Sequence, residues 1–219
     1  MRCTNAILLM RFLLGFGVGL LATTGAARAH PDVWVTMKSE VIYAPDGSVT
    51  GIRHTWSFDD TFSAYAVQGI EHKKNGVYTR EELAPLAETN ITSIKENNYF
   101  NFARIDGETQ KDAFGEPIDY WFDYADSGLT LHFTLPFKAP VRARNLEIGI
   151  YDPEYFIDFG FDEREPIKLV NAPAQCTFEL VRPGDMAPSV QRLNKSFQAP
   201  EVSPGMGSHF ASKVLISCP

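Results

Sequence analysis

The alternation of apolar and polar residues across positions 33–58 constrains this chain more than any other feature. Val33, Val35, Met37, Val41 and Tyr43 share one parity, with Lys38 and Glu40 on the other. After Ala44-Pro45-Asp46-Gly47-Ser48 the pattern resumes, with Ile52, His54, Trp56 and Phe58 on one side. Residues two apart lie on the same face of a strand. The two runs therefore read as a hairpin with one dry and one wet face, closed by a turn in which Gly47 is free to take a positive φ. A dry face of this kind must be covered by a second layer.

Five further strand-like runs, at 120–124, 129–135, 146–151, 176–181 and 213–217, are separated by Gly, Pro and Asp. Short strands with frequent turns predict a mainly β, α+β chain, a β-sandwich or open-barrel-like pair of sheets rather than a βαβ fold. One clear helix is expected around residues 79–97. Thr79 supplies its N-cap, and Glu81 and Glu82 sit in a first turn that favours carboxylates. Leu83, Leu86, Ile91 and Ile94 form its apolar stripe, and Pro85 is tolerable near its start. Asn97-Asn98-Tyr99-Phe100-Asn101-Phe102 ends the helix and returns the chain to extended structure. Residues 62–71 are apolar without clean periodicity, which leaves strand and helix both open. A soft division near 105–117 separates a helix-containing first part from an all-β second part, as two packed sub-domains.

The first 29 residues have another composition. Arg2 and Arg11 precede an apolar stretch over 12–22, and Ala27-Arg28-Ala29 supplies the small residues of a cleavage site. This is the layout of a secretory signal peptide, and the apolar stretch is short for a membrane span. Residues 30–219 are then the mature domain, periplasmic and with no membrane insertion after cleavage. Losing three arginines and no acid takes the formal charge from −7 to −10. So acidic a chain has no electrostatic footprint for nucleic acid.

Cys3 leaves with the signal, and Cys176 and Cys218 remain as one even pair in an oxidising compartment. They are expected to form a disulfide. A two-thiolate metal site is the alternative, without nearby histidine or C-x-x-C spacing to support it.

Cleavage after Ala29 would leave His30 as the first residue, with an α-amine, an imidazole and the Asp32 carboxylate close together. Amine and imidazole nitrogens suit Cu(II), Ni(II) and Zn(II). Pro31 has no amide proton, so it cannot supply the deprotonated backbone nitrogen of a square-planar N-terminal tripeptide site. The other histidines are less promising. His132 shares a polar strand face with Thr130 and Thr134, His54 is core-bound or rim-lining, His72 precedes two lysines, and His209 follows a Gly-rich loop over 199–207. No pair has H-x-H, H-x-x-H or H-E-x-x-H spacing. In residues 151–163 five acids interleave with five aromatics, which fits an edge strand with one wet face rather than an EF-hand loop. There is no G-x-S-x-G elbow and no Walker-type loop.

Several tracts together resemble a bacterial family of exported proteins of unassigned function. They are Ala-His-Pro-x-Val-Trp at 29–34, Gly-x-x-x-x-Trp-x-Phe-Asp at 51–59, Asn-Tyr-Phe at 98–100, Leu-His-Phe-Thr-Leu-Pro at 131–136 and Tyr-Asp-Pro-Glu-Tyr-Phe at 151–156. Members are loosely labelled ABC-transporter substrate-binding proteins, often encoded near nickel/cobalt or zinc transport systems. The resemblance implies periplasmic metal handling. The family commonly reads His-Pro-His at the mature start, where this chain has Asp32, which makes the site harder and less suited to copper. Trp34, Trp56 and Phe133 carry over as packing residues.

The reading is a non-enzymatic, periplasmic accessory to metal transport. It holds a transition-metal ion (Ni, Co, Zn or Cu) through His30 and Asp32 and partners a membrane metal transporter. The alternative is a protein-interaction module that docks on an envelope transporter or partner through the aromatics of residues 151–163. An envelope hydrolase with paired carboxylates has the least support.

Overall fold

The computed structural model describes residues 31–72, 76–183 and 207–219. Residues 1–29, expected to be a signal peptide, and His30 lie outside the described residues, as does all of the 199–207 loop except Gly207. Strand β1 (Val33–Tyr43) and strand β2 (Val49–Phe58) pair antiparallel, Val35 opposite Phe58 and Val41 opposite Ile52, so the expected hairpin is present with the expected faces. Asp46 closes its turn, accepting from the Ser48 backbone N–H at 3.0 Å.

Two sheets follow. The first runs β5 (Ile118–Ala125), β6 (Gly128–Val141), β2, β1 and then β8 (Ile157–Phe161), with β9 (Ile167–Val170) continuing along the same side of β1. The second runs β10 (Thr177–Val181), β11 (Ser212–Ser217), β7 (Asn145–Ile150), β3 (Asn101–Ile105) and β4 (Glu108–Gln110). The fold is thus mainly β and sandwich-like, with no closed barrel among the described residues. Most pairings are antiparallel, but β8 and β9 both join β1 parallel. Inward residues of both sheets share one core, in which Met37, Trp56, Phe122 and Phe133 meet Ala103, Ile148 and Ile216. Burial of side chains this large contributes about 1.5–3 kcal/mol each. Trp56 sits at the centre, edge-on to Phe133 at 4.8 Å and to Phe159 at 4.9 Å between ring centroids.

Residues 62–71, which the sequence left open, begin within a short helix, α1 (Asp60–Ala66). The expected long helix is α2 (Arg80–Ile94), opened by a capping box in which Thr79 and Glu82 satisfy each other's backbone N–H. Its buried stripe is Leu83, Ala87, Ile91 and Ile94; Leu86 is only half-buried, because the i, i+4 line through Leu83 selects Ala87. Lys95–Phe100 starts as a 3₁₀ turn, kinks through non-helical backbone at Asn97, Asn98 and Tyr99, and delivers the chain to β3. A four-residue helix, α3 (Gly207–Phe210), precedes β11. No helix of the described residues is long and apolar enough to cross a membrane.

Cys176 and Cys218 form a disulfide across 42 positions, pinning the last residues beside β10. Closing a loop of that size contributes about 3–4 kcal/mol in the chain-entropy picture. Gly51 in β2 faces Pro136 of β6 so closely that a Cβ would lie 2.8 Å from the Leu135 carbonyl oxygen and 3.0 Å from the Pro136 Cα. Both are backbone atoms of a central strand and cannot give way. Gly51→Ala is expected to destabilise the fold by about 1–3 kcal/mol, read as a lower urea midpoint at unchanged slope.

Candidate functional site at the N-terminal corner

Four separate stretches of sequence meet where β1 begins. The Asp32 and Val33 N–H groups both donate to the Phe156 carbonyl, at 2.9 and 3.3 Å, which lays the start of β1 against the 151–157 turn. Asp59 joins from the end of β2. Its Oδ2 accepts from the Trp34 N–H at 3.0 Å, while its Oδ1 caps α1 by accepting from the Thr61 and Phe62 N–H groups. The third contact is the Tyr151 N–H donating to the Phe100 carbonyl at 3.0 Å. The described part of the first tract, residues 31–34, the Asp59 end of the 51–59 tract, and the tracts at 98–100 and 151–156 therefore converge on one corner of the molecule.

Asp152 builds the turn. It is only 5% exposed, and its carboxylate accepts from the Glu154, Phe156 and Ile157 N–H groups at 2.9–3.1 Å. Tyr155 is held at a positive φ of 61° with its ring stacked on Phe210 at 4.6 Å. That leaves Phe156 outside, 43% exposed, and Trp34 of β1 is likewise exposed at 51%. Trp34 is thus not the packing residue the resemblance implies. Its parity places it with Thr36 and Lys38 on the outer face of β1, the one sequence signal that foretold its exposure. Its register partner in β8 is Asp158, whose pKa is raised by burial.

The acids of this region divide by task. For Asp59, burial pulls the pKa up, but the N–H groups of Trp34, Phe62 and Thr61 outweigh it and hold the carboxylate low. Asp162 is lowered by the Glu165 and Arg164 N–H groups it caps. Asp59, Asp152 and Asp162 are occupied with backbone and act structurally. Asp32 is surface-exposed at the rim, two residues along the chain from His30. Among the described residues no group of three or more His, Cys, Asp or Glu is placed to hold a metal ion.

The remaining histidines lie elsewhere. His54 is fully buried, its Nδ1 sharing a hydrogen bond with the Ser39 hydroxyl at 2.9 Å and its ring 4.8 Å from Phe133. Asn101 on β3 packs within electrostatic reach and favours the imidazolium, but burial dominates and lowers the His54 pKa to about 3. Serine, histidine and asparagine thus form a polar column through the dry core, closed to any substrate. His132 stands on the outer face of the first sheet with its Nε2 3.0 Å from Asp123 and its ring stacked on Trp121, over which Arg80 lies. His72 packs on Tyr78, and His209 is exposed on α3.

Fold and corner together define a disulfide-tied, two-sheet β protein whose distinctive surface is made of strand ends and one rigid turn. The chain matches, over residues 15–218, the family described as "Protein of unknown function (DUF1007)", and it belongs to that family. The match indicates no enzyme family. No curated protein matches the sequence. Among solved structures, acetylcholine-binding protein type 1 of Biomphalaria glabrata is similar at 10% identity over 84% of each chain, with a TM-score of 0.31. That likeness is too slight to carry an argument.

Proposed function

We propose that this chain is an exported, periplasmic accessory of metal transport that holds a transition-metal ion, Ni, Co, Zn or Cu, at its N-terminal corner and presents it to a membrane transporter. The observation that carries the reading is the anchoring of β1. Asp32 is fixed by its backbone to Phe156 at the surface, so a chain cleaved after Ala29 would bring a free amine and an imidazole to an exposed carboxylate. The bound ion would add a positive charge to a strongly acidic protein, which favours its retention. The test is calorimetric titration of the processed protein with Ni(II), Co(II), Zn(II) and Cu(II). One equivalent should bind, and His30→Ala should weaken that binding by at least about tenfold, or about 1.4 kcal/mol. Equal binding by both proteins contradicts the proposal.

A second reading rests on the exposed pair Trp34 and Phe156, since aromatics are enriched at the centres of protein interfaces. In this reading the corner docks on an envelope partner. Copurification would survive chelator treatment and weaken in Trp34→Ala and Phe156→Ala. Tyr155, whose ring is already stacked on Phe210, contributes through the turn instead.

A further inference from the structure

Asn98, Tyr99 and Phe100 form a run of three consecutive non-glycine residues at positive φ, 53°, 53° and 56°. Each costs about 1–2 kcal/mol, and such strain persists only where its surroundings over-determine it. Here they do. The Asn101 side-chain amide donates to the Tyr99 carbonyl at 2.8 Å, the Tyr99 hydroxyl donates to Glu116 at 3.0 Å, and the Phe100 ring packs on Phe159. Asn98 and Tyr99 of this tract line a cleft of about 610 Å³, together with their partners Asn101 and Glu116. Clefts of about 300–1,000 Å³ with apolar walls and a few placed polar groups are the usual seats of small molecules.

The walls are aromatic and braced from behind. Phe102 stacks on Tyr151 at 4.2 Å, Phe114 packs on Phe137 at 4.7 Å, and Tyr99 is buried. The rim carries three lysines and two carboxylates. Lys95 pairs with Glu116 at 2.6 Å and Lys138 pairs with Asp112. The Lys95 and Tyr99 hydrogen bonds hold Glu116 ionised, while burial, reinforced by Glu116, pushes Tyr99 up to about 12 and keeps its phenol a donor. Lys111 has no ion-pair partner among the described residues, so the rim is left with one unmatched positive charge in an acidic protein.

We propose that this cleft binds a small organic monoanion with an aromatic or apolar body, the anionic group meeting Lys111 and the body lying against Tyr99, Phe102 and Phe114. The cleft adjoins the N-terminal corner through residues 98–99 but is lined by none of Asp32, Trp34, Asp59 and Asp152, and it stands or falls without metal binding there. The probe is 8-anilino-1-naphthalenesulfonate, an aromatic monoanion, with uncharged N-phenyl-1-naphthylamine as the matched body, titrated by fluorescence into the protein as its host processes it. One saturable site is expected for the anion, with the neutral probe weaker by roughly tenfold, the worth of one charge-assisted contact. Lys111→Glu should weaken the anion by at least that factor, while Lys168→Glu on β9 leaves it unchanged. Thr109→Trp, which fills the cleft from an exposed lining position without changing charge, should abolish binding of both probes. Non-saturating or multisite binding, equal affinity for the neutral probe, or binding in Lys111→Glu or Thr109→Trp equal to that of the parent overturns the proposal.

Discussion

Asp152→Ala is expected to lower the unfolding free energy by about 3–5 kcal/mol, because it strips three part-buried backbone donors of their acceptor at once, each worth about 1–3 kcal/mol. The carboxylate is 5% exposed and is the side-chain acceptor for the N–H groups of Glu154, Phe156 and Ile157. The same carboxylate compensates for the positive φ of Tyr155 and sets the Phe156 carbonyl that receives Asp32 and Val33. Loss should therefore spread from the turn into the parallel pairing of β1 with β8. Asp152→Asn keeps one acceptor oxygen but turns an NH₂ toward a donor, and should fall between the parent and alanine. Urea denaturation gives the stabilities, and hydrogen exchange at Asp32, Val33 and Ile157 should quicken before that of β6. Both variants within about 1 kcal/mol of the parent would show that the turn is held by other contacts.

Acidification should weaken the protein well before its carboxylates are protonated. In the unfolded chain His54 takes up a proton near its ordinary value of 6.5, whereas burial in the fold defers protonation to about 3. Between those values the unfolded state holds more protons, so stability falls as pH falls. The slope approaches about 1.4 kcal/mol per pH unit and the loss reaches about 4–5 kcal/mol across the whole interval. Asp46, Asp59, Glu116 and Asp162, all with lowered pKa values, add their losses only at lower pH, where carboxylates titrate. His132 is lowered by burial against the opposing pull of Asp123 and contributes a smaller loss of the same sign. Asp158, raised by burial, acts in the opposite sense. His54→Gln retains polar atoms toward Ser39 and Asn101 without a titrating ring. It should remove most of the slope between pH 6.5 and 4.5, at some cost in stability near pH 7.5. An unchanged slope would place the acid sensitivity elsewhere.

The hairpin was legible to the residue because its alternation is unbroken and its turn carries Asp46 and Gly47. The capping box of α2 was legible for a similar reason, since Thr79 and Glu82 stand three apart at the head of an apolar stripe. The parallel pairing of β8 and β9 with β1 was not. Parity in residues 157–161 shows which face is wet but carries nothing about the partner strand. The strained Asn98–Phe100 run escaped as well, because no glycine marks it and its cause lies in distant partners such as Glu116 and Tyr151. At the corner, the sequence offers His30 and Asp32 as candidate donors, whereas the anchoring by Phe156 and the structural occupation of Asp59 and Asp152 depend on contacts far apart in the chain. The cleft beside Tyr99 draws its lysines from α2's end, the 111–116 loop and β6, a grouping that only the folded chain creates.

In the proposed site the free amine of His30 is a metal ligand, and one insertion isolates its contribution. A mature chain carrying a single alanine ahead of His30 keeps the imidazole, Asp32 and the whole fold, but moves the α-amine out of its chelate ring. Titrated with Ni(II) and Zn(II) beside the chain that begins at His30, with both N-termini verified by mass spectrometry, the extended chain should bind at least about tenfold more weakly, or about 1.4 kcal/mol. Equal affinity for the two chains would contradict coordination through the N-terminus.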